Sequence, residues 1–409
     1  MDRWTDLPPM FQFSIKKEIN RSNYIVGVGS SLKNEKIATE RTIGEFVERF
    51  SLRFFNKKET KKIQYSRIDN KSIKLKQIVN FSKEQLKDKK IKQKLGTEKD
   101  FFLFTTGFNL LNNKKIFIPA QLVYVPFNGF KEKIIRLPIS TGAAASFSFK
   151  KAIIKGILEV IERDAFMIYF LNKEFGYLIN IEENKYLRQI YNFIKKYNLE
   201  IYTFFLPTDI KVYNILTIII DKSGFAPAVN CGVDSDINLD KAILKSIEEA
   251  LQVFSWIRFS MYFDKNNKKD DLYDIKQRGY YWSDINKIHL IMKWIKNTKN
   301  VIQYNELKKY LFNFSAKILV DDNYCLDYLI KEIKRLNMNI YYKDITHSIF
   351  KKYGFKVVKV IIPELQPLYL NESFKYLGGE RIYNILYNLG FKKRPTRYNE
   401  LNKYPHFFL

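Results

Sequence analysis

The sequence predicts a mixed α/β protein in which helices lie on sheets. Three long stretches, residues 37–55, 151–170 and 239–259, repeat apolar side chains at helical spacing. Between and after them come short runs rich in Ile, Val, Phe and Tyr, the mark of strands. The chain is also 46% hydrophobic and 16% aromatic, enough to fill a large core. Alternation of such helices and strands predicts helices covering sheets.

Taken in order, residues 1–23 are a lead with no clear period, and 24–29 read as a strand ending in a Gly turn. The helix 37–55 carries an apolar stripe of Ile43, Phe46, Val47 and Phe50. The Lys-rich segment 56–98 reads as variable and solvated, and strands are expected at 101–108 and 115–127. The small, polar run 140–146 leads into the helix 151–170. Small residues there allow either a plain capped turn or backbone N–H groups approaching an anion at a helix N-terminus. A helix at 187–197 follows, with strands at 200–206, 213–221 and within 224–234. After the helix 239–259, residues 264–315 are basic and weakly patterned. The last third reads as strand 316–320, helix 327–336, and strands 338–342 and 356–362. Pro363 to Pro367 break the pattern before a helix at 380–389 and an irregular tail, 390–409.

Composition narrows the function. The chain of 409 residues lacks a run of about 18 uncharged apolar residues, so no membrane span is expected. Its N-terminus lacks the layout of a signal peptide. Two distant cysteines, Cys231 and Cys325, cannot make a disulfide framework or a cysteine zinc site, and a reduced cytoplasmic protein is the simplest expectation. The net charge of +27 invites a nucleic-acid reading, but the Lys residues are scattered rather than striped, which argues against that as the main function. An acidic peptide is another use for the charge. No P-loop or Gly-x-Gly-x-x-Gly turn is present, and His289, His347 and His406 lie in unrelated contexts, each expected at the surface or in a loop.

The most informative signal is a repeated Glu-x-x-Glu-Arg, once at Glu45, Glu48 and Arg49 and again at Glu159, Glu162 and Arg163. The spacing puts two carboxylates and a guanidinium on one helical face. Carboxylates suit Mg²⁺ and Arg suits phosphate, so two such helices predict a nucleotide–metal site. In the first helix the motif lies opposite the apolar stripe, which an ordinary solvated face would also explain. The second helix is apolar almost all round and should be buried. There Arg163 alone cannot balance Glu159, Glu162 and Asp164, and a cation would. A third helix adds Glu248, Glu249, Gln252 and Arg258.

These motifs together resemble the YcaO family, over the chain from about Val26 onward. The first Glu helix, the strand residues Ile118 to Tyr124, the run Ser140 to Ser146 with Leu158 to Ala165, and the helix segment Ala242 to Gln252 all stand in the family's order. So do Asp344-Ile345-Thr346, Pro363 to Pro367, and Gly378-Gly379-Glu380-Arg381. The chain departs from the family at Ser30-Ser31-Leu32, where Gly-Lys-Gly is common, and at Thr141 and Ser146.

The resemblance implies a pseudo-duplicated architecture with three Glu-bearing helices around an ATP–Mg²⁺ site, as one catalytic domain over 24–409. It implies Glu45, Glu48, Glu159, Glu162 and Glu249 as metal ligands. Ser140, Thr141, Arg49, Arg163, Gln252 and Arg258 would lie near ATP. The activity implied is ATP-dependent cyclodehydration of a ribosomally made precursor peptide, as in bacteriocin biosynthesis. A Cys, Ser or Thr side chain attacks the preceding carbonyl, the amide oxygen is phosphorylated, and loss of phosphate leaves a thiazoline or (methyl)oxazoline. Azoline-forming members end in a Pro-rich tail with a catalytic terminal carboxylate, which would here be Leu409 after a tail holding only Pro405. With so few residues before the first motif, a separate leader-binding partner is expected, of the ubiquitin-activating-like or ocin-ThiF-like kind. A flavin-dependent azoline dehydrogenase and a homodimer are further family expectations. Thioamide or amidine formation by the same phosphoryl step is the alternative within the family. A non-enzymatic, basic peptide- or RNA-binding protein is the alternative outside it.

Overall fold

The computed structural model describes residues 7–20, 23–55, 57–68, 71–127, 131–225, 227–263, 275–298, 300–311 and 317–408. Strands β1 (Phe11–Asn20) and β2 (Asn23–Ser31) pair antiparallel and precede helix α1 (Glu35–Arg53). Next come β3 (Thr60–Gln64), α2 (Lys89–Lys94), β4 (Phe101–Asn109), β5 (Lys115–Pro119) and β6 (Ala143–Ser146), ahead of α3 (Phe149–Asn172). Then β7 (Tyr177–Asn180), α4 (Lys185–Lys195), β8 (Leu199–Phe205), β9 (Tyr213–Asp221) and β10 (Val229–Asp236) precede α5 (Leu239–Phe263). The remainder holds α6 (Ile275–Tyr281), α7 (Ile288–Asn297), β11 (Val301–Gln303), α8 (Tyr304–Lys308), α9 (Lys317–Val320) and α10 (Asp322–Arg335). It closes with β12 (Tyr341–Asp344), α11 (Ser348–Lys351), β13 (Lys356–Ile361) and α12 (Arg381–Asn388).

One sheet runs β10-β9-β8-β7-β11, and the other runs β3-β4-β12-β13-β6 with β5 beside β4. Strand β9 shows why the first sheet is covered on both faces. Leu216, Ile218 and Ile220 enter one core while Ile215 and Ile219 enter the core on the opposite face, the period-two alternation of a pleated strand. Helix α3 begins at a Ser148 cap that accepts from Lys151 N at 3.3 Å. Its first half, Ala152 to Ile161, joins a core with β13 and α10. Its second half, Ala165 to Leu171, joins a core with β8, β9 and the C-terminal tail. Between the halves stand Glu162, Arg163 and Asp164. Helix α5 presses onto β10 so closely that a Cβ at Gly232 would lie 2.1 Å from Ser246 O, a place only Gly can occupy.

The structure corrects several expectations. The lead holds β1, whose alternating Phe11, Phe13 and Ile15 are a strand signal. Residues 317–320 are helical rather than extended, a short apolar run being ambiguous by period alone. The strand expected at 115–127 stops at Pro119. The basic segment contains α6, α7 and α8, while 264–274 and 312–316 lie outside the described residues. On α1 only Val47 of the expected stripe is buried; Ile43 is exposed, and Ala38, Thr42, Ser51 and Leu52 face inward instead.

Candidate functional site

Three helices each deliver one glutamate to a backbone N–H of the strand or turn before it. Val28 N donates to Glu45 Oε2 at 2.6 Å, Gly142 N to Glu159 Oε2 at 3.0 Å, and Val233 N to Glu249 Oε2 at 2.7 Å. Such bonds to a charged acceptor are short and strong, and they fix where each carboxylate points. Gly142 manages this at φ +84°, a left-handed conformation that suits glycine. Arg49 pairs with Glu45 at 2.6 Å. Arg163 reaches Glu159 at 3.5 Å and Glu162 at 3.3 Å.

The five carboxylates predicted as metal ligands form one electrostatic group. Burial, then the charges of Glu159 and Glu45, pushes Glu48 well above the usual range. Burial does the same to Glu162, with Glu249, Asp234 and Glu159 adding to it against the opposing charge of Arg163. Glu159 is also raised by burial, and Glu249 is raised to about 7 for the same first cause. Asp234, which the sequence reading missed, rises to about 7 through burial and the charge of Asp236, despite Lys245. One of its carboxylate oxygens, Oδ2, is buried without a partner. A surplus of buried negative charge in a chain of net +27 calls for cations from outside. Among the described residues no three His, Cys, Asp or Glu side chains are gathered closely enough to enclose a metal ion alone. That donor set fits Mg²⁺, which usually takes one or two carboxylates, keeps waters and completes its shell with phosphate oxygens.

Two parts of the sequence reading need correction. The balance proposed for α3 counted Asp164 with the site, but Asp164 points away. Arg381 grips it with two bonds of 2.8 Å, and Gln366 N adds a third at 2.8 Å. The run 140–146 does not lead straight into the helix. It is a turn followed by β6, and its Gly142 N–H serves Glu159 instead of an anion at the helix start.

Gln252 Oε1 accepts from Ser30 Oγ at 2.7 Å, tying α5 to the end of β2. Beside it Glu248 accepts from Leu32 N at 2.8 Å and pairs with Arg41, two residues not anticipated as partners. Arg258 stands about 9 Å further along α5 than Gln252, at the standard helical rise. Ser140 and Thr141 act through their backbones: Ser140 O accepts from Ala143 N, and Thr141 O accepts from Lys359 Nζ at 2.6 Å. Lys359 was missed, although a lone Lys in the run Val357 to Ile362 was a visible signal. Pairing of β13 with β6 sets it opposite Ala143. Burial lowers its pKa to about 8, while Glu159 and Glu48 oppose that shift.

Leu409 lies outside the described residues. The tail before it is irregular, as expected, and its end is buried. Pro405 O accepts from Trp282 Nε1 at 3.0 Å, and Phe407 and Phe408 are each 1% exposed. Arg163 sits over the Phe408 ring, 4.0 Å from its centre, so the tail forms one wall of the carboxylate site. His406, expected at the surface, is wholly buried, with Nε2 on Tyr369 O at 2.7 Å. Burial, then the charge of Arg278, drives its pKa well below the ordinary value. The neutral ring is therefore the folded form. Its contribution is complete above about pH 6.5 and is lost as the pH falls below that. We expect wild-type stability to fall between pH 6.5 and 5.5 by about 1 kcal/mol more than that of His406→Gln. Denaturant titrations of both proteins across that interval check this. Equal slopes would remove His406 from the account.

A family model described as YcaO cyclodehydratase, ATP- and Mg²⁺-binding, matches residues 32–366. No curated protein matches. Among solved structures, a heterocyclase in complex with substrate and cofactor superimposes with a TM-score of 0.80 at 16% identity, over 100% of this chain and 54% of that one. This chain therefore spans about half the length of that heterocyclase. YcaO from Methanopyrus kandleri, bound with AMPPCP and Mg²⁺, gives a TM-score of 0.63 at 13% identity, over 89% and 88% of the two chains. The E. coli microcin synthetase McbBCD complex gives 0.58 at 16% identity, over 89% and 90%. At these identities the likeness is one of fold.

Proposed function

This chain belongs to the YcaO family, and from that premise we propose that it is an ATP-dependent cyclodehydratase of a ribosomally made precursor peptide. The observation that carries the reading is the set of carboxylates converging from α1, α3 and α5, held on backbone amides and short of cations. Glu45, Glu48, Glu159, Glu162 and Glu249 would hold Mg²⁺, and Arg49, Arg163, Gln252, Arg258 and the Ser140–Thr141 backbone would lie toward the nucleotide phosphates. Bound Mg²⁺–ATP supplies divalent charge and a phosphoryl group that converts an amide oxygen into a leaving group.

The chain's own residues prepare for that chemistry. The amides of Val28, Gly142 and Val233 keep three carboxylates aimed without rearrangement, which is the preorganisation that makes electrostatic catalysis effective. Phe408 covers one face of Arg163, shielding its guanidinium from water while leaving its edge to the carboxylates. The buried thiol of Cys231 is pushed well up by burial and is no nucleophile. A leader-binding partner protein is part of the proposal, supported by the fold shared with a synthetase complex.

Mass spectrometry tests the proposal directly. A Cys/Ser/Thr-rich precursor peptide, incubated with the protein, its partner, Mg²⁺ and ATP, is expected to lose water in steps that require ATP. A gain in mass from exchange of oxygen for sulfur would identify thioamide formation instead. Unchanged peptide with no ATP consumed would overturn the enzymatic reading.

A further inference from the structure

The sheet β10-β9-β8-β7-β11 is forked. Strand β8 pairs with β9 along its whole length, Leu199 to Phe205. Among the described residues it meets β7 only where Phe205 faces Tyr177 and Phe204 faces Leu178. Beyond that point the two strands part, and a cavity of about 270 Å³ fills the gap. Its walls show that it cuts through the plane of the sheet. Ile179, Ile181 and Ile201 belong to the core beneath α4 and α5, while Leu178 and Tyr202 pack on the opposite core. Arg188 and Lys195 of α4, both exposed, stand at the rim.

The register fixes which backbone groups face this gap. Leu206 N donates to Asn214 O, on the β9 side, at 2.8 Å. Leu178, opposite Phe204, turns its N–H away from β8, to Asn300 O at 2.9 Å. Peptide groups alternate in direction along a strand, so Phe204 and Tyr202 also turn theirs to β9. The N–H and C=O of Ile201 therefore point into the gap, and among the described residues neither has a hydrogen-bond partner. Ile201 is only 7% exposed. Backbone groups buried to that degree are nearly always paired. A free strand edge is also a ready template for another strand.

The geometry points to this fork as a peptide-docking site, in which an extended, acidic segment of the precursor peptide pairs as an added strand with the free edge of β8. Main-chain bonds to Ile201 would hold the segment, and its side chains would give the selectivity. Apolar side chains would rest on Ile179 and Ile201, and carboxylates would reach Arg188 and Lys195. The charge favours an acidic guest, since α4 carries Lys185, Arg188 and Lys195 and no acid. Glu182 also lines the cavity, but it lies 3.9 Å from Arg188, a loose pair that a guest carboxylate can replace. The size fits as well. At roughly 10–15 Å³ for each water-sized group, the cavity takes on the order of twenty of them, about the bulk of three residues. Val233, whose N–H holds Glu249, faces Leu216, which faces Phe204. Ile201 thus lies two strands across and three residues along from it, roughly 14 Å away by ordinary strand spacings. A peptide docked there is tethered near the carboxylate site, which raises its local concentration. The assignment deepens the proposed function and rests on it for the identity of the peptide.

Fluorescence anisotropy without ATP tests the site, using three labelled hexapeptides. One alternates Glu and Val, one alternates Lys and Val, and the third is the Glu–Val peptide N-methylated at every amide. The wild type should bind the Glu–Val peptide, and the other two about tenfold more weakly or worse. Arg188→Glu combined with Lys195→Glu should weaken the Glu–Val peptide by about tenfold or more and strengthen the Lys–Val peptide. Both side chains are exposed on α4, so the double variant should melt with the wild type. Its KM for the precursor peptide should rise by a similar factor. No binding of the Glu–Val peptide up to about 1 mM would overturn the site. So would binding that charge reversal or N-methylation leaves unchanged. Binding with the expected dependences in a protein that consumes no ATP would keep the docking site and reject the enzymatic reading. Loss of water from the precursor at an unchanged KM in the double variant would do the reverse.

Discussion

Glu162→Gln is expected to lower ATP turnover by about 100- to 1000-fold or more while the protein stays folded. Glu162 is 7% exposed and faces Glu249, Asp234 and Glu159, with Arg163 as its ion-pair partner at 3.3 Å. Gln has the same shape and keeps an oxygen for Arg163, so the fold loses little. The metal-free variant should even melt higher, because one of several crowded negative charges is gone. What it loses is the charge that Mg²⁺ and the developing phosphoryl charge require. Turnover measured with and without Mg²⁺, beside circular dichroism and melting curves, separates the two effects. Wild-type turnover in a folded Glu162→Gln protein would remove the proposed site.

The second large effect concerns stability. Arg381→Met should destabilise the protein by about 3–5 kcal/mol, the usual result of stripping the partner from a buried charge. Arg381 holds Asp164 through two bonds of 2.8 Å and Asp209 through bonds of 2.8 and 2.6 Å. Asp164 is fully buried, at the middle of α3, and would be left with one backbone amide. Arg381→Lys should recover little, because an ammonium cannot grip two carboxylates with a planar fork. Arg381→Met with Asp164→Asn should recover much of the loss by removing the stranded charge. Urea unfolding of the four proteins checks this, and a loss below about 1 kcal/mol for Arg381→Met would show that the pair is not structural.

The sequence revealed the helices of the site well because their signal is local. The apolar spacing of α3 and the doubled Glu-x-x-Glu-Arg are both visible within a few turns. It was ambiguous on α1, where the polar face suited a solvated surface as well as a site. A helical period reports only which residues differ from the apolar stripe, and a face turned toward water and one turned toward a pocket of charges look alike. The partner of Asp164 was invisible for another reason. Arg381 lies in a different helix, and only the packing of α12 on α3 brings the two together. His406 and the tail fall in the same class, since nothing around Pro405 in the sequence announces that Trp282 and Tyr369 will enclose it. Two features could have been read and were not: the alternation in β1 and the single Lys359 within an apolar strand.

Helix α3 gives the site an unusual mechanical setting. Its two halves are anchored in separate cores, with the polar triplet Glu162-Arg163-Asp164 at the junction. Neither core can open while the helix stays seated in the other, so the carboxylate site has no cheap local fluctuation of its own. Amide exchange along α3 should therefore belong to the slowest cooperative unit of the protein, and the site is as rigid as the molecule is stable.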